Sequence, residues 1–393
     1  MWWNRRKQQQ KAPKRNLEAE RQAELDREAA ETAGRTPRAV LILLGIAGAV
    51  AGAFGLWAIQ GFAAPVILAL VLTICVHPLR VAMEKRGVPR GIATTSVVTA
   101  VFVLLAAFVT ALVLALSQFV TLLPTFAPQL EKAGKNFGAW LQSIGVSETQ
   151  IHAITTSFDP TKLVGVLTGL LGSVTSLTFA LVVILTCLIL MAADAGYLGA
   201  LFEQIRPEHK RVVIVIQSFA SNVRRYMVAT TVLGIAQGVL NAAALLVLQV
   251  PGAFLWGLLS FLCSFIPNIG YFIAIIPPLV FGFLTGGWPT IIWILIWYTL
   301  VNAVVQSIIQ PRVVGNAVAL SQTITFVSVL FWAVVLGAIG AILAIPLTLI
   351  VRMILIDTDP RARWWRPVLG DFSQTKVIQK AADAERKQQR KST

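Results

Sequence analysis

Between Glu208 and Asp357 the sequence contains no aspartate and no glutamate. An embedded carboxylate is the usual proton or sodium carrier of an antiporter, and this stretch offers none. Histidine and cysteine are also scarce, with three of each. His77, His152 and His209 show no ligand spacing, and Cys75, Cys187 and Cys263 sit inside apolar stretches, without the pairing of a zinc site or a disulfide framework. A Gly-x-Ser-x-Gly elbow and a Walker lysine motif are both missing. These absences argue against an enzyme, an ATP-driven pump, a metal centre and a cofactor. The first 38 residues hold no apolar run of the kind a signal peptide needs.

What is present is apolar. Hydrophobic residues make up 56% of the chain, charged residues 13%, and the mean hydropathy is +0.74. An ordinary soluble domain carries about 25% charged residues, so the expected solvent is lipid. The net charge of +15 is concentrated at the ends: ten basic residues precede the first apolar run and ten lie from Arg352 to Lys391. Basic flanks around an apolar middle fit membrane orientation better than a nucleic-acid partner.

The pattern divides the chain into a polar tail (1–38), a membrane domain (39–356) and a basic tail (357–393). Full spans are expected at Ala39–Ile59, Phe62–Val76, Ile92–Leu116, Leu167–Ala193, Met227–Leu248 and Thr290–Ile309. Basic loops holding Arg80, Lys85, Arg86 and Arg90, and later Arg206 to Arg225, are expected on the inner side. Residues 117–164 balance their charges and carry a helical stripe of Phe119, Leu122, Phe126, Leu130, Phe137, Leu141 and Ile144. That stripe predicts an amphipathic outer segment. Within it, Ser147 to Gln150 reads as a capping box and Asp159-Pro160 as a helix start.

Two apolar stretches are too long for one crossing. Gly252–Leu284 has 33 residues, about 50 Å as a helix, and is broken by Ile266-Pro267-Asn268-Ile269-Gly270. Ala319–Met353 is interrupted at Gly337-Ala338-Ile339-Gly340. Each reads either as a long tilted helix with a kink or as a re-entrant hairpin, and two hairpins entering from opposite faces close the parity. The expected fold is therefore all-α, with six full spans, two broken-helix hairpins and both termini in the cytoplasm. Asn302, Gln306 and Gln310 recur every fourth residue on one helix face. Such a face either lines a cavity or binds a neighbouring helix. Asp194, at the inner end of the fourth span, is the one candidate for ion coupling.

The second half resembles the autoinducer-2 exporter (PerM-like) family of bacterial membrane proteins. The resemblance is carried by Leu255-Trp256-Gly257-Leu258-Leu259, Phe265-Ile266-Pro267-Asn268-Ile269-Gly270 and Ile275-Ile276-Pro277-Pro278. It continues in Gln310-Pro311-Arg312-Val313-Val314-Gly315, Leu320-Ser321, Phe331-Trp332, Gly337-Ala338-Ile339-Gly340 and Ala344-Ile345-Pro346-Leu347-Thr348. It implies a secondary transporter of the bacterial inner membrane that exports a small neutral polar solute such as autoinducer-2. Sodium or proton antiport, a channel and a non-transporting scaffold are the alternatives. The residues expected to meet solute are Pro267, Asn268, Gly270, Asn302, Gln306, Gln310, Arg312, Gly337 and Gly340. The expected partners are the lipid bilayer and the solute, together with a homo-oligomer for which a pentamer is one form the resemblance suggests.

Overall fold

The computed structural model describes residues 38–145, 147, 165, 169, 174–314 and 320–359, together with Arg21 and Gln22. The tails and the Asp159-Pro160 helix start fall outside these residues, as does Gln150 of the expected capping box. Every regular element among the described residues is helical. The chain forms two compact units, Met1–Ala58 and Ile59–Thr393. The first contains α1 (Arg38–Ala58), an apolar helix with Phe54 and Trp57 rings 5.4 Å apart.

The second unit begins with α2 (Gln60–Lys85) and α3 (Arg90–Leu122). A 3-10 turn at Leu123–Phe126 leads into α4 (Ala127–Ser143). After it come α5 (Val174–Asp194), α6 (Leu198–Val247), α7 (Ala253–Cys263) and α8 (Gly270–Ala303). A π-helical stretch at Val304–Ile309 joins α8 to the short α9 (Gln310–Val314). The last elements are α10 (Gln322–Ile342), α11 (Ala344–Arg352) and a π turn at Met353–Asp357. Among the described residues, five helices are long and apolar enough to cross a membrane: α2, α3 continued to Gln129, α6, α8 continued to Ile309, and α10.

Two of these long helices are folded. At Gly287 (φ 65, ψ −155) and at Gly337 (φ 66, ψ −151) the backbone takes the same conformation, one essentially reserved for glycine. Gly287 turns α8 back on itself, so that the Tyr271 and Thr299 hydroxyls meet at 2.8 Å across its two arms. Gly337 interrupts α10, and the chain reverses through Leu343 into α11. Trp332 Nε1 then donates to Thr348 Oγ1 at 3.1 Å. Gly337 lies beside the side chain of Gln60, at the start of α2.

Two expected loops are helix. Residues 77–85 extend α2 past His77-Pro78, and Arg80 is buried. Residues 198–225 belong to α6, which is kinked at His209 (φ −125, ψ 39) two residues after Pro207. Both loops were read from their bases, but long basic side chains also lie along helices whose other face is packed. Val213 and Val223 on α6 are fully buried, which shows that such a face exists.

The packing has two centres. α2 packs on α5 and α3, and α10 packs on α2. α6 packs on α7 and α8, where Gly238 and Gly257 bring the two backbones so close that a side chain at either glycine meets the partner helix. The spacing Gly234, Gly238, Ala242 is the small-residue stripe that permits close helix contact in membranes. Phe119 joins this second centre. Its ring lies 4.9 Å from Trp256 and 4.7 Å from Phe281, edge to face, which ties the end of α3 to α7 and α8. On α4, Leu141 is buried, while the exposed Lys135 donates to Glu131 at 2.7 Å and holds that carboxyl below its usual pKa. The expected stripe is thus split: Phe119 belongs to the end of α3 and Leu141 to α4.

Candidate functional site

The break between α7 and α8 is built by the residues that the sequence marked. Ile266 accepts from Gly270 N at 3.0 Å and Pro267 O accepts from Ile269 N at 2.8 Å. Between them Asn268 is exposed and left-handed (φ 65), a conformation that asparagine tolerates better than most residues. Gly270 is buried with its Cα against the Cys263 carbonyl, so no side chain fits there. Gly340 is likewise buried against the Trp332 carbonyl.

α7 runs antiparallel to α6, and its small polar residues meet polar residues on one face of that helix. Asn241 Nδ2 donates to Ser260 Oγ at 3.3 Å, and Ser264 lies against Gly234. The α6 face is Tyr226, Thr230, Gln237 and Asn241, all buried. From α8 the buried Tyr298 brings its hydroxyl beside Ser260 and Cys263 without closing a hydrogen bond of ordinary geometry. Asn302 follows one turn later, half-buried. Because Tyr271 pairs with Thr299, Asn302 lies at the depth of the α7–α8 break.

These residues form a neutral seam within otherwise apolar helices. Its oxygens are buried: Tyr226 OH faces Thr230 and Tyr298 OH faces Ser260, while Asn241 Oδ1 and Asn302 Oδ1 have no hydrogen-bond partner among the described residues. An unmet buried polar group costs roughly 1–3 kcal/mol. Two such groups cost roughly 2–6 kcal/mol together. Polar groups inside a membrane helix bundle usually face a neighbouring helix or a water-filled cavity.

Of the predicted residues, Asn302 alone joins the seam. Gln306 and Gln310 are half-buried, Gln306 within the π stretch, and Arg312 is exposed. π stretches recur at functional sites, and this one follows directly after Asn302. Among the described residues, no hydrogen bond connects Pro267, Asn268, Gly337 or Gly340 to the seam. The sequence reading passed over Tyr226, Thr230, Gln237, Ser260 and Tyr298. The spacing of 230, 234, 237 and 241 places Thr230, Gln237 and Asn241 on one helical face with a glycine, a signal available in the sequence.

At the opposite end of α2, Arg80 fastens α2 to α5. Its Nη1 donates to Ala192 O at 2.9 Å and its Nη2 to Ala195 O at 3.3 Å, while its Nε lies 3.2 Å from Glu84. The guanidinium therefore caps the carbonyl end of α5, where a positive charge also suits the helix dipole. Asp194 ends that helix exposed, with its carbonyl accepting from Tyr197 N at 2.9 Å. A cavity of about 460 Å³ flanks Arg80, with Arg90, Thr94 and Tyr197 among its walls.

Long apolar helices, two of them folded at glycines, define the class as a multi-span helical membrane protein. The profile of the AI-2E family transporter matches residues 46–358, and the chain belongs to that family of transporters. It is 29% identical to the AI-2 transport protein TqsA of Escherichia coli (strain K12), over 75% of this chain and 85% of that protein. A Haemophilus influenzae protein is 27% identical over 85% and 97% of the two chains. YhhT of Escherichia coli (strain K12) is 25% identical over 79% and 89%. The names of these last two give transport without a substrate.

Proposed function

We propose that this protein is a secondary transporter that exports a small neutral polar solute across the bacterial inner membrane, with autoinducer-2 as the leading cargo. The observation that carries the reading is the buried seam of neutral polar side chains, in which Asn241 Oδ1 and Asn302 Oδ1 have no hydrogen-bond partner among the described residues. Neutral donors and acceptors match a polyhydroxylated solute and give a cation no countercharge. The name of TqsA supplies AI-2 as the cargo to try first. The α7–α8 break (Pro267, Asn268, Gly270), the α10 break (Gly337, Gly340) and the run Gln306, Gln310, Arg312 are proposed as further solute contacts made as the hairpins move. In this reading the two hairpins enter from opposite faces between six full spans, both termini are cytoplasmic, and the protein works as a homo-oligomer. Asp194 is proposed for ion coupling, as the acid that closes α5.

The test is flux of labelled autoinducer-2 into proteoliposomes holding the purified protein, with and without a proton gradient. Saturable flux supports the reading. Absence of flux from folded protein overturns the cargo. Asp194→Asn is expected to keep flux down the solute gradient and to lose the response to an imposed proton gradient; an intact response removes Asp194 from coupling.

A further inference from the structure

A second site lies away from the seam, where the basic stretch of α6 meets the end of α11. A cavity of about 480 Å³ opens there, with Lys210, Arg211, Ser218, Asn222 and Arg352 as polar walls and Asp357 as its one carboxylate. Three cations against one carboxylate leave the walls net positive. The carboxylate is already engaged, since Arg352 Nε lies 3.4 Å from Asp357 Oδ2. Arg211 Nη2 donates to the Asp357 backbone carbonyl at 3.2 Å, so both guanidinium groups converge on the last π turn. Arg211 Nε is buried and has no acceptor among the described residues. A guanidinium donor left in that state is costly, and an anionic oxygen is the partner it binds best.

The remaining walls are apolar. Ile214, Phe219 and Met353 line the cavity beside the cationic groups. Beside the rim, Ile214, Ile354 and Leu355 are 50%, 60% and 64% exposed. Cationic donors above an apolar wall match an amphiphile: a phosphate head with hydrocarbon below it. A soluble phosphate uses only half of such a site. We propose that this cavity binds the phosphate head of an anionic phospholipid, which straps α11, the returning arm of the second hairpin, to α6. Basic pockets at the ends of membrane helices are suited to such heads.

The experiment uses the full chain, purified in neutral detergent and stripped of lipid, with thermal stability followed during titration. The probes are dioctanoyl phosphatidylglycerol, dioctanoyl phosphatidylcholine and inorganic phosphate. The expected result is a saturable rise in melting temperature with phosphatidylglycerol only. In Arg211→Gln, the midpoint of that titration moves up about tenfold, the loss of one charge-assisted hydrogen bond. Lys210 is exposed, so Lys210→Glu keeps the fold and carries the same test if Arg211→Gln does not fold. An equal response to phosphatidylcholine overturns the proposal, as does a response to inorganic phosphate alone, which assigns the site to a soluble anion. Wild-type titrations in both variants overturn it as well.

Discussion

Arg80 stands in for the polar groups whose role is holding rather than carrying. Two of its three contacts join α2 to the end of α5, the third is to Glu84 on α2 itself, and with 6% of its surface exposed it has no water to fall back on. Removing the guanidinium strands Glu84 and uncaps α5. Arg80→Met should lower stability by about 3 kcal/mol, the range for breaking a buried pair by one partner. Adding Glu84→Gln should restore part of the loss, because the stranded charge is then gone. Chemical unfolding in detergent reads both, and an Arg80→Met variant as stable as wild type contradicts the role. Asn268 separates conformation from chemistry. Asn268→Gly keeps the left-handed tip and should unfold with wild-type stability while transport falls. Asn268→Val should lose about 1–2 kcal/mol, the cost of forcing a β-branched residue into that region. Wild-type transport by Asn268→Gly removes the amide from the solute path.

At the level of elements, the two glycine reversals explain what was legible and what was not. Proline and glycine at 267–270 and glycines at 337 and 340 announced breaks, because stretches of that apolar length leave no other reason for them. The reversal at Gly287 was expected as a loop between two spans, and the structure gives it the backbone of Gly337. Gly337→Ala should therefore cost about 1–3 kcal/mol, the range for a residue held in glycine-only space. Gly45, on an open face of α1 with nothing near its Cα, is the control, where alanine should be neutral or mildly stabilising. Equal effects at both positions contradict the assigned geometry. The basic stretches 77–85 and 198–225 were harder to read. Charge says which side of a membrane a segment prefers, but not whether it is loop or helix. The deciding contacts, of Arg80 with α5 and of Val213 and Val223 with the packed face, lie far apart in sequence.

Over the whole molecule, an apolar bundle holds a neutral seam that its own side chains satisfy only in part. Composition made the membrane legible, and residue order made the family legible. The seam was legible only in part, through Asn302. Thr230, Gln237, Ser260 and Tyr298 look ordinary in sequence. They acquire meaning when Gly238 and Gly257 draw α6 and α7 together and the fold at Gly287 returns α8 beside them. A site assembled across three helices leaves no contiguous motif. Its signature is energetic, in oxygens that cost stability where they stand. That cost separates two explanations, since structural hydrogen-bonding groups stabilise a fold and functional ones often burden it.

Tyr298→Phe puts this to the test, because it removes one hydroxyl and changes almost nothing else. Tyr298 is 2% exposed and its hydroxyl faces Ser260 without an ordinary hydrogen bond. Thermal stability and autoinducer-2 flux would be measured on the same preparation, with Asn302→Leu as the companion variant. The expected result is stability within about 1 kcal/mol of wild type, with flux reduced about fivefold, the value of one hydrogen bond of ordinary strength. Lower stability with undiminished flux would contradict it, and would make the seam part of the scaffold.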